Sequence, residues 1–194
     1  MGKKKKEKPT QLWFIRHKKV AAGVAAGLAV AAAMGWTGYN LLNPDPYKNK
    51  GQYPEKSRVM EVTDGDSVAM ANGRLFRLIG IDAPNRGDKG YEEAKDKLVK
   101  LTLEKDVWLE YDRYNDDMYG RILVWVWIGC SDPKFTPPNY MRLSFNRSRE
   151  GLLANPEGCE KGKLIQEEMV KAGMAKVEAF KDRGELKYEK RLRN

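Results

Sequence analysis

The chain has 194 residues with 36 Lys and Arg, 27 Asp and Glu, one His and two Cys. An apolar share of 41% beside 32% charged residues excludes disorder throughout and multiple membrane spans, and the length suits one domain of about 150 residues plus an appendage. One His and two Cys exclude a four-ligand structural zinc site, leave a Ser-His-Asp triad dependent on His17 alone, and restrict any metal chemistry to oxygen ligands.

The net charge of +9 is uneven: residues 1–45 hold eight basic and two acidic groups, leaving only +3 for the other 149 residues. Such an N-terminal bias points to membrane topology more than to nucleic acid. Residues 1–19 form a basic arm. Residues 20–42 follow, within an uncharged run of 25 from Val20 to Pro44. A helix needs about 20 apolar residues to cross a bilayer, so this segment predicts a transmembrane helix. Trp36 and Tyr39 stand where an interfacial belt would lie. The expected topology is single-pass, with a cytoplasmic N-terminus and an exported remainder. A cleaved signal ending at Ala31-Ala32-Ala33, which would leave a secreted domain, and a soluble buried helix are the alternatives. Position 6 is Lys, so Gly2 lacks the myristoylation pattern. Residues 43–57 are a linker rich in Pro, Asn and Gly.

Elements of a folded domain over 58–194 follow in order. Arg58 to Thr63 predicts a strand, Asp64-Gly65-Asp66 a turn, and Ser67 to Met70 a second strand. Asn72-Gly73 is a two-residue hairpin signal. Arg74 to Ile81 alternates as a third strand, with Leu75, Arg77, Ile79 and Ile81 on one side, and Asp82-Ala83-Pro84 stops it. Tyr91 to Leu103 has helical periodicity through Ala94, Leu98 and Leu101. Val107 to Tyr111 and Ile122 to Ile128 predict strands, Gly162 to Ala172 a short helix, and Met174 to Val177 a last strand. A C-terminal helix is expected within Glu185 to Arg193 at most. Five strands with a helix between the third and fourth predict an α+β domain that is mainly β barrel, an OB-type five-stranded barrel with packed helices.

The chemistry concentrates in short phrases. Val62-Thr-Asp64-Gly-Asp66-Ser67 precedes Arg77-Leu-Ile-Gly-Ile-Asp82-Ala-Pro84, and Asp117-Met-Tyr119-Gly-Arg121 follows. Asp66 follows a turn and Asp82 ends a strand, so barrel closure can bring two carboxylates to one hard cation. Each alone reads as an ordinary turn or strand stop. Arg77 and Arg121 are guanidinium forks, which bind phosphate oxygens bidentately and stay charged at any working pH. Surface ion pairing is the plain alternative for both. Trp108, Trp125 and Trp127 lie on predicted strands and are read as packing residues rather than base-stacking platforms.

In that order and spacing, with Gly162 to Val177 as a fourth match, the phrases resemble the staphylococcal nuclease family over residues 58 to 180. The resemblance implies a calcium-dependent nuclease that hydrolyses phosphodiester bonds of DNA and RNA. It implies Ca2+ held by Asp66, Asp82 and the Ala83 carbonyl, with Asp64 acting through water. Arg77 and Arg121 are implied at the scissile phosphate and Tyr119 as a phosphate contact, although a core tyrosine is the alternative. No nucleotide cofactor is expected, and a monomer is.

The sequence departs from the family pattern in four places. Asn85 stands where the family has a Glu after the proline, and loss of a general base costs about 10² to 10⁴ in rate. A slow nuclease is therefore expected, with Asn85 orienting water at best. Glu92 or Glu93 swinging in is less simple than both beginning the helix, where acids favour the dipole. Met118 and Ala179 replace a lysine and a tyrosine of the best-known member. An insertion over 130–161 is bounded by Cys130 and Cys159, a disulfide candidate in an exported domain, with two unpaired cysteines as the alternative. By loop entropy that bridge would contribute about 3–4 kcal/mol. Arg142, Arg147 and Arg149 in the insertion are solvated loop residues or contacts to a phosphate backbone, and Asn146-Arg147-Ser148 is a sequon. The rival to the nuclease is a catalytically inactive barrel that binds nucleic acid or protein. A purely structural tethered domain is a third reading.

Overall fold

The computed structural model describes residues 53–144, 147–178 and 184–194. The basic arm, the segment 20–42, most of the linker and Ala179 lie outside them. Among the described residues no helix is long and apolar enough to cross a membrane.

Strand β1 (Lys56–Val62) pairs antiparallel with β2 (Ser67–Met70), Val62 opposite Val68. The turn between them carries Asp64, Gly65 and Asp66. A Cβ on Gly65 would stand 2.7 Å from the Ala83 Cβ and 2.8 Å from the Ala94 Cβ. Only glycine lets this turn press against the loop that holds Ala83. Strand β3 (Leu75–Leu78) pairs with β2, Ser67 opposite Arg77. Phe76 and Leu78 enter the core while Leu75 and Arg77 face outward.

The predicted third strand is in fact two. Gly80 has φ +83° and a Cβ there would meet the Trp125 ring at 2.8 Å, so the chain turns and resumes as β4 (Ile81–Asp82). The expected alternation therefore fails past Leu78: Ile79 and Ile81 are both buried. Helix α1 (Tyr91–Thr102) buries Ala94 and Leu98. Strand β5 (Asp106–Glu110) pairs with β1 and with β6 (Ile122–Ile128), and β6 runs parallel to β3. The order β3-β2-β1-β5-β6, closed by β3–β6, is a five-stranded barrel. Closure leaves these strands without a free edge along the β3–β6 seam. Trp125 and Trp127 of β6 are fully buried, and Trp108 of β5 is half-buried.

The insertion holds a hairpin of β7 (Arg142–Ser144) and β8 (Arg147–Ser148). Its ends meet at a Cys130–Cys159 disulfide with Cα atoms 4.2 Å apart. The expected helix at Gly162 begins later. Lys163–Leu164 form β9 instead, pairing with Trp127 and Ile128 of β6, and α2 spans Ile165–Lys171. Strand β10 (Lys176–Val177) pairs with β4, Lys176 opposite Asp82. The C-terminal helix α3 is Glu189–Arg193, inside the expected limits.

A buried polar seam fixes the segment before α3. Lys187 Nζ donates to Glu110 Oε1 at 3.0 Å, the Tyr111 carbonyl at 2.5 Å and the Thr136 carbonyl at 2.8 Å. Glu110 Oε2 accepts from Trp127 Nε1 at 3.1 Å and the Tyr188 hydroxyl at 2.9 Å. Asp112 Oδ2 accepts from Trp125 Nε1 at 2.9 Å and the Lys187 backbone N–H at 2.8 Å. These two carboxylates end β5 and follow it, so the strand end and the C-terminal segment are tied through side chains rather than a ladder.

Candidate functional site

A cleft of about 620 Å³ opens where the β1–β2 turn, β3, the start of β6 and the loop after β4 meet. Asp64, Asp66, Arg77, Asn85, Tyr119 and Arg121 all line it, as does Ala83. The sequence-chosen residues therefore converge, with one qualification. Asp82 borders an adjoining hollow together with Asp88 and Lys176. Ala83, Pro84 and Asn85 line both spaces.

Arg77 stands between the two aspartates. Its Nη1 donates to Asp66 Oδ1 at 2.8 Å and its Nη2 to Asp82 Oδ1 at 3.1 Å. The turn fixes Asp66 independently: Ala83 N–H donates to Asp66 Oδ2 at 3.1 Å and Ser67 Oγ to Asp66 Oδ1 at 2.9 Å. Asp66 is only 3% exposed. Burial pushes its carboxyl up to about 6, although Arg77 and the Ala83 N–H pull the other way. Burial works against the Arg77 guanidinium, but Asp66 and Glu178 hold it above its ordinary value. The Asp82 side chain is 57% exposed.

Arg121 enters from the other strand. Its Nη1 donates to Ser67 Oγ at 2.9 Å, so Ser67 links Arg121 to Asp66. Asp117 aims it: Oδ2 accepts from Arg121 Nε at 2.7 Å, and Oδ1 accepts from the backbone N–H groups of Tyr119 and Arg121 at 2.9 and 3.0 Å. Burial of Asp117 opposes ionisation, but these bonds from Arg121 and Tyr119 hold its carboxyl below the usual range. Tyr119 is 75% exposed, which removes the core reading of that residue. Its ring centroid lies 5.4 Å from the Arg121 guanidinium carbon. Met118 beside it is exposed as well.

Asn85 is exposed on the cleft wall, with its backbone N–H donating to Asp88 Oδ2 at 3.1 Å. Glu92 and Glu93 occupy the first turn of α1, and neither is among the described residues lining the cleft. Trp108 donates its Nε1 to the Cys130 carbonyl at 3.3 Å, away from the cleft. Three contributors escaped the sequence reading. Ser67 and Asp117 lay inside the quoted phrases, and Asp117 precedes Arg121 by one helix-like spacing. Glu178, with Oε1 3.8 Å from Arg77 Nη2, carried no local signal because the β4–β10 pairing alone brings it there.

The donor set suits a hard divalent cation. Arg77 shows that Asp66 and Asp82 converge on one positive charge, and the carboxylates outnumber the guanidinium between them. Among the described residues no three His, Cys, Asp or Glu side chains make a full cage, so a cation bound here would need further oxygens from backbone carbonyls and water.

Fold and site together define an OB-type barrel whose strand ends bear paired carboxylates and paired arginines around one cleft. The chain belongs to the family described as staphylococcal nuclease homologue, whose sequence profile matches residues 75–194. It is similar to the thermonuclease of Staphylococcus intermedius, 32% identical over 146 residues covering 63% of this chain and 85% of that protein. The thermonuclease of Staphylococcus hyicus is 29% identical over 147 residues, covering 63% of this chain and 86% of its own. The profile match begins at Leu75, so the Asp64–Asp66 turn precedes it and its place in the site rests on the geometry above.

Proposed function

We propose that this protein is a calcium-dependent nuclease that hydrolyses phosphodiester bonds of DNA and RNA. The observation that carries this reading is the shared cleft: Arg77 and Arg121 line it together with Asp66. Two guanidinium forks on one anion match the charge that builds on phosphoryl oxygens in the transition state. Asp66, Asp82 and the Ala83 carbonyl would hold Ca2+, which when bound polarises a phosphoryl oxygen and a nearby water. Ser67 and Asp117 keep Arg121 aimed. Asn85 can orient a water by hydrogen bonding but takes no proton from it, so turnover is slow.

The nuclease domain is a monomer on the exported side of a membrane, anchored there by residues 20–42. The charge pattern of residues 1–45 supports that topology, and the disulfide accords with an oxidising compartment. Asn85 favours one second reading, an inactive module that binds nucleic acid. The two separate when single-stranded DNA is incubated with calcium or with chelator. The nuclease reading expects calcium-dependent cleavage, raised tenfold or more by Asn85→Glu, since a general base supplies about 10² to 10⁴. No cleavage in either protein leaves the binder.

A further inference from the structure

We propose that Arg86 is a phosphate-binding residue of this cleft, taking a phosphate next to the one held by Arg77 and Arg121 on a single-stranded nucleic acid. The proposal deepens the nuclease reading and rests on it.

Arg86 lines the same cleft as Arg77 and Arg121. The other two guanidinium groups are already engaged: Arg77 by Asp66, Asp82 and Glu178, and Arg121 by Asp117 and Ser67. Among the described residues Arg86 has no carboxylate partner. Its one acidic loop neighbour, Asp88, accepts the Asn85 backbone N–H through Oδ2 at 3.1 Å and makes no ion pair with Arg86. Asn85, on its other side, is neutral.

The backbone under Arg86 is closed rather than loose. Asp88 N–H donates to the Asn85 carbonyl at 2.9 Å, and Gly87 between them has φ +95°. That is a four-residue turn with a left-handed third position, which glycine fills without strain. Arg86 occupies the second position, so the turn fixes its backbone at the cleft wall. A cleft of about 620 Å³ lies in the range that encloses whole ligands rather than one phosphate group. The guanidinium fork binds phosphate oxygens in pairs and keeps its charge at any working pH.

The test is fluorescence anisotropy of the full chain in detergent with a labelled single-stranded oligothymidylate carrying cleavage-resistant phosphorothioate linkages, in calcium, over about 50 to 200 mM salt. Each single-strand phosphate contact contributes about 0.7 to the slope of log K against log salt. Arg86→Ala is expected to lower that slope by about 0.7 and weaken binding about fivefold, as for loss of one phosphate contact. Arg86→Gln repeats the measurement with a side chain of closer length. Arg86→Lys is expected to keep the slope. Arg58→Ala removes an exposed arginine on β1 that faces Asp106, and is expected to leave the slope as it was. Wild-type slope in both Arg86→Ala and Arg86→Gln overturns the proposal while the nuclease reading stands. An equal drop with Arg58→Ala also overturns it, because bulk charge then explains the effect. No binding by the wild-type chain at any salt overturns the nuclease reading itself.

Discussion

The seam beneath the C-terminal segment and the cleft beside β3 both hold buried charge, and they differ in how fully that charge is matched. At the seam, Lys187 is 0% exposed and all three of its ammonium donors are taken. Glu110 accepts from Lys187, Trp127, Tyr188 and Thr136. Burial pushes the Glu110 carboxyl up, and Lys187 with its hydrogen bonds pulls it back. Burial and the Glu110 charge push the Tyr188 hydroxyl above its ordinary value. At the cleft, one guanidinium is shared among Asp66, Asp82 and Glu178. A saturated buried network fixes a conformation. A cluster with surplus carboxylate and an opening to solvent keeps capacity for a ligand.

The comparison breaks or sharpens at four variants. Lys187→Ala should cost about 3–5 kcal/mol of stability in urea unfolding, because it strands Glu110 in the core. Lys187→Met with Glu110→Leu should not restore it, because Trp127 Nε1 and the Tyr188 hydroxyl then lose their acceptor. A loss below about 1 kcal/mol would mean the seam is not a structural tie. Arg121→Ala should leave stability within about 1 kcal/mol but lower kcat/KM about 10²- to 10³-fold, as for a lost transition-state donor. Equal activity would place the phosphate elsewhere.

Asp66→Asn should reverse the usual sign. The folded-state carboxyl sits at about 6, above its unfolded value near 4, so ionised Asp66 weakens the ion-free fold as pH rises through that window. The substitution should therefore abolish the fall in stability between about pH 4 and pH 6, whatever its constant cost from the donors of Arg77, Ser67 and Ala83 that lose an acceptor, while activity is lost. Thermal unfolding in chelator across pH reads this directly. Asp117→Asn has the opposite sign. Asp117 is held below its ordinary value by Arg121 and Tyr119, so its contribution is present at neutral pH and disappears as pH falls through the folded value. A cost of about 1 kcal/mol at pH 7, absent in strong acid, is expected, with about a tenfold loss of activity from a less well aimed Arg121.

Most of the barrel could be read locally. The strand signals of β1 and β2, the apolar runs of β5 and β6 and the helical spacing of α1 arise from residues a few positions apart. The break at Gly80 could not, because it depends on the Trp125 ring lying where a side chain would have gone. Strand β9 was missed for the same reason: Lys163 and Leu164 are extended because Trp127 and Ile128 pair with them. Within the site, Asp66, Arg77, Asp82, Ala83, Asn85, Tyr119 and Arg121 were legible as phrases. Glu178 was not, since its place follows from β10 pairing with β4. Arg86 went unremarked because one exposed arginine has no pattern until the neighbouring guanidinium groups are seen to be engaged.

Composition alone settled which chemistry this chain could attempt. One histidine and two cysteines leave carboxylates, carbonyls and guanidinium groups as its working atoms. Tertiary structure decided which of those atoms meet. Closure of β3 against β6 sets Arg121 beside Ser67, and the close approach at Gly65 sets Asp66 against Ala83. Charges separated along a chain act on one ligand only when the backbone between them is held in place, and that holding comes from strand pairing and core packing across the whole barrel.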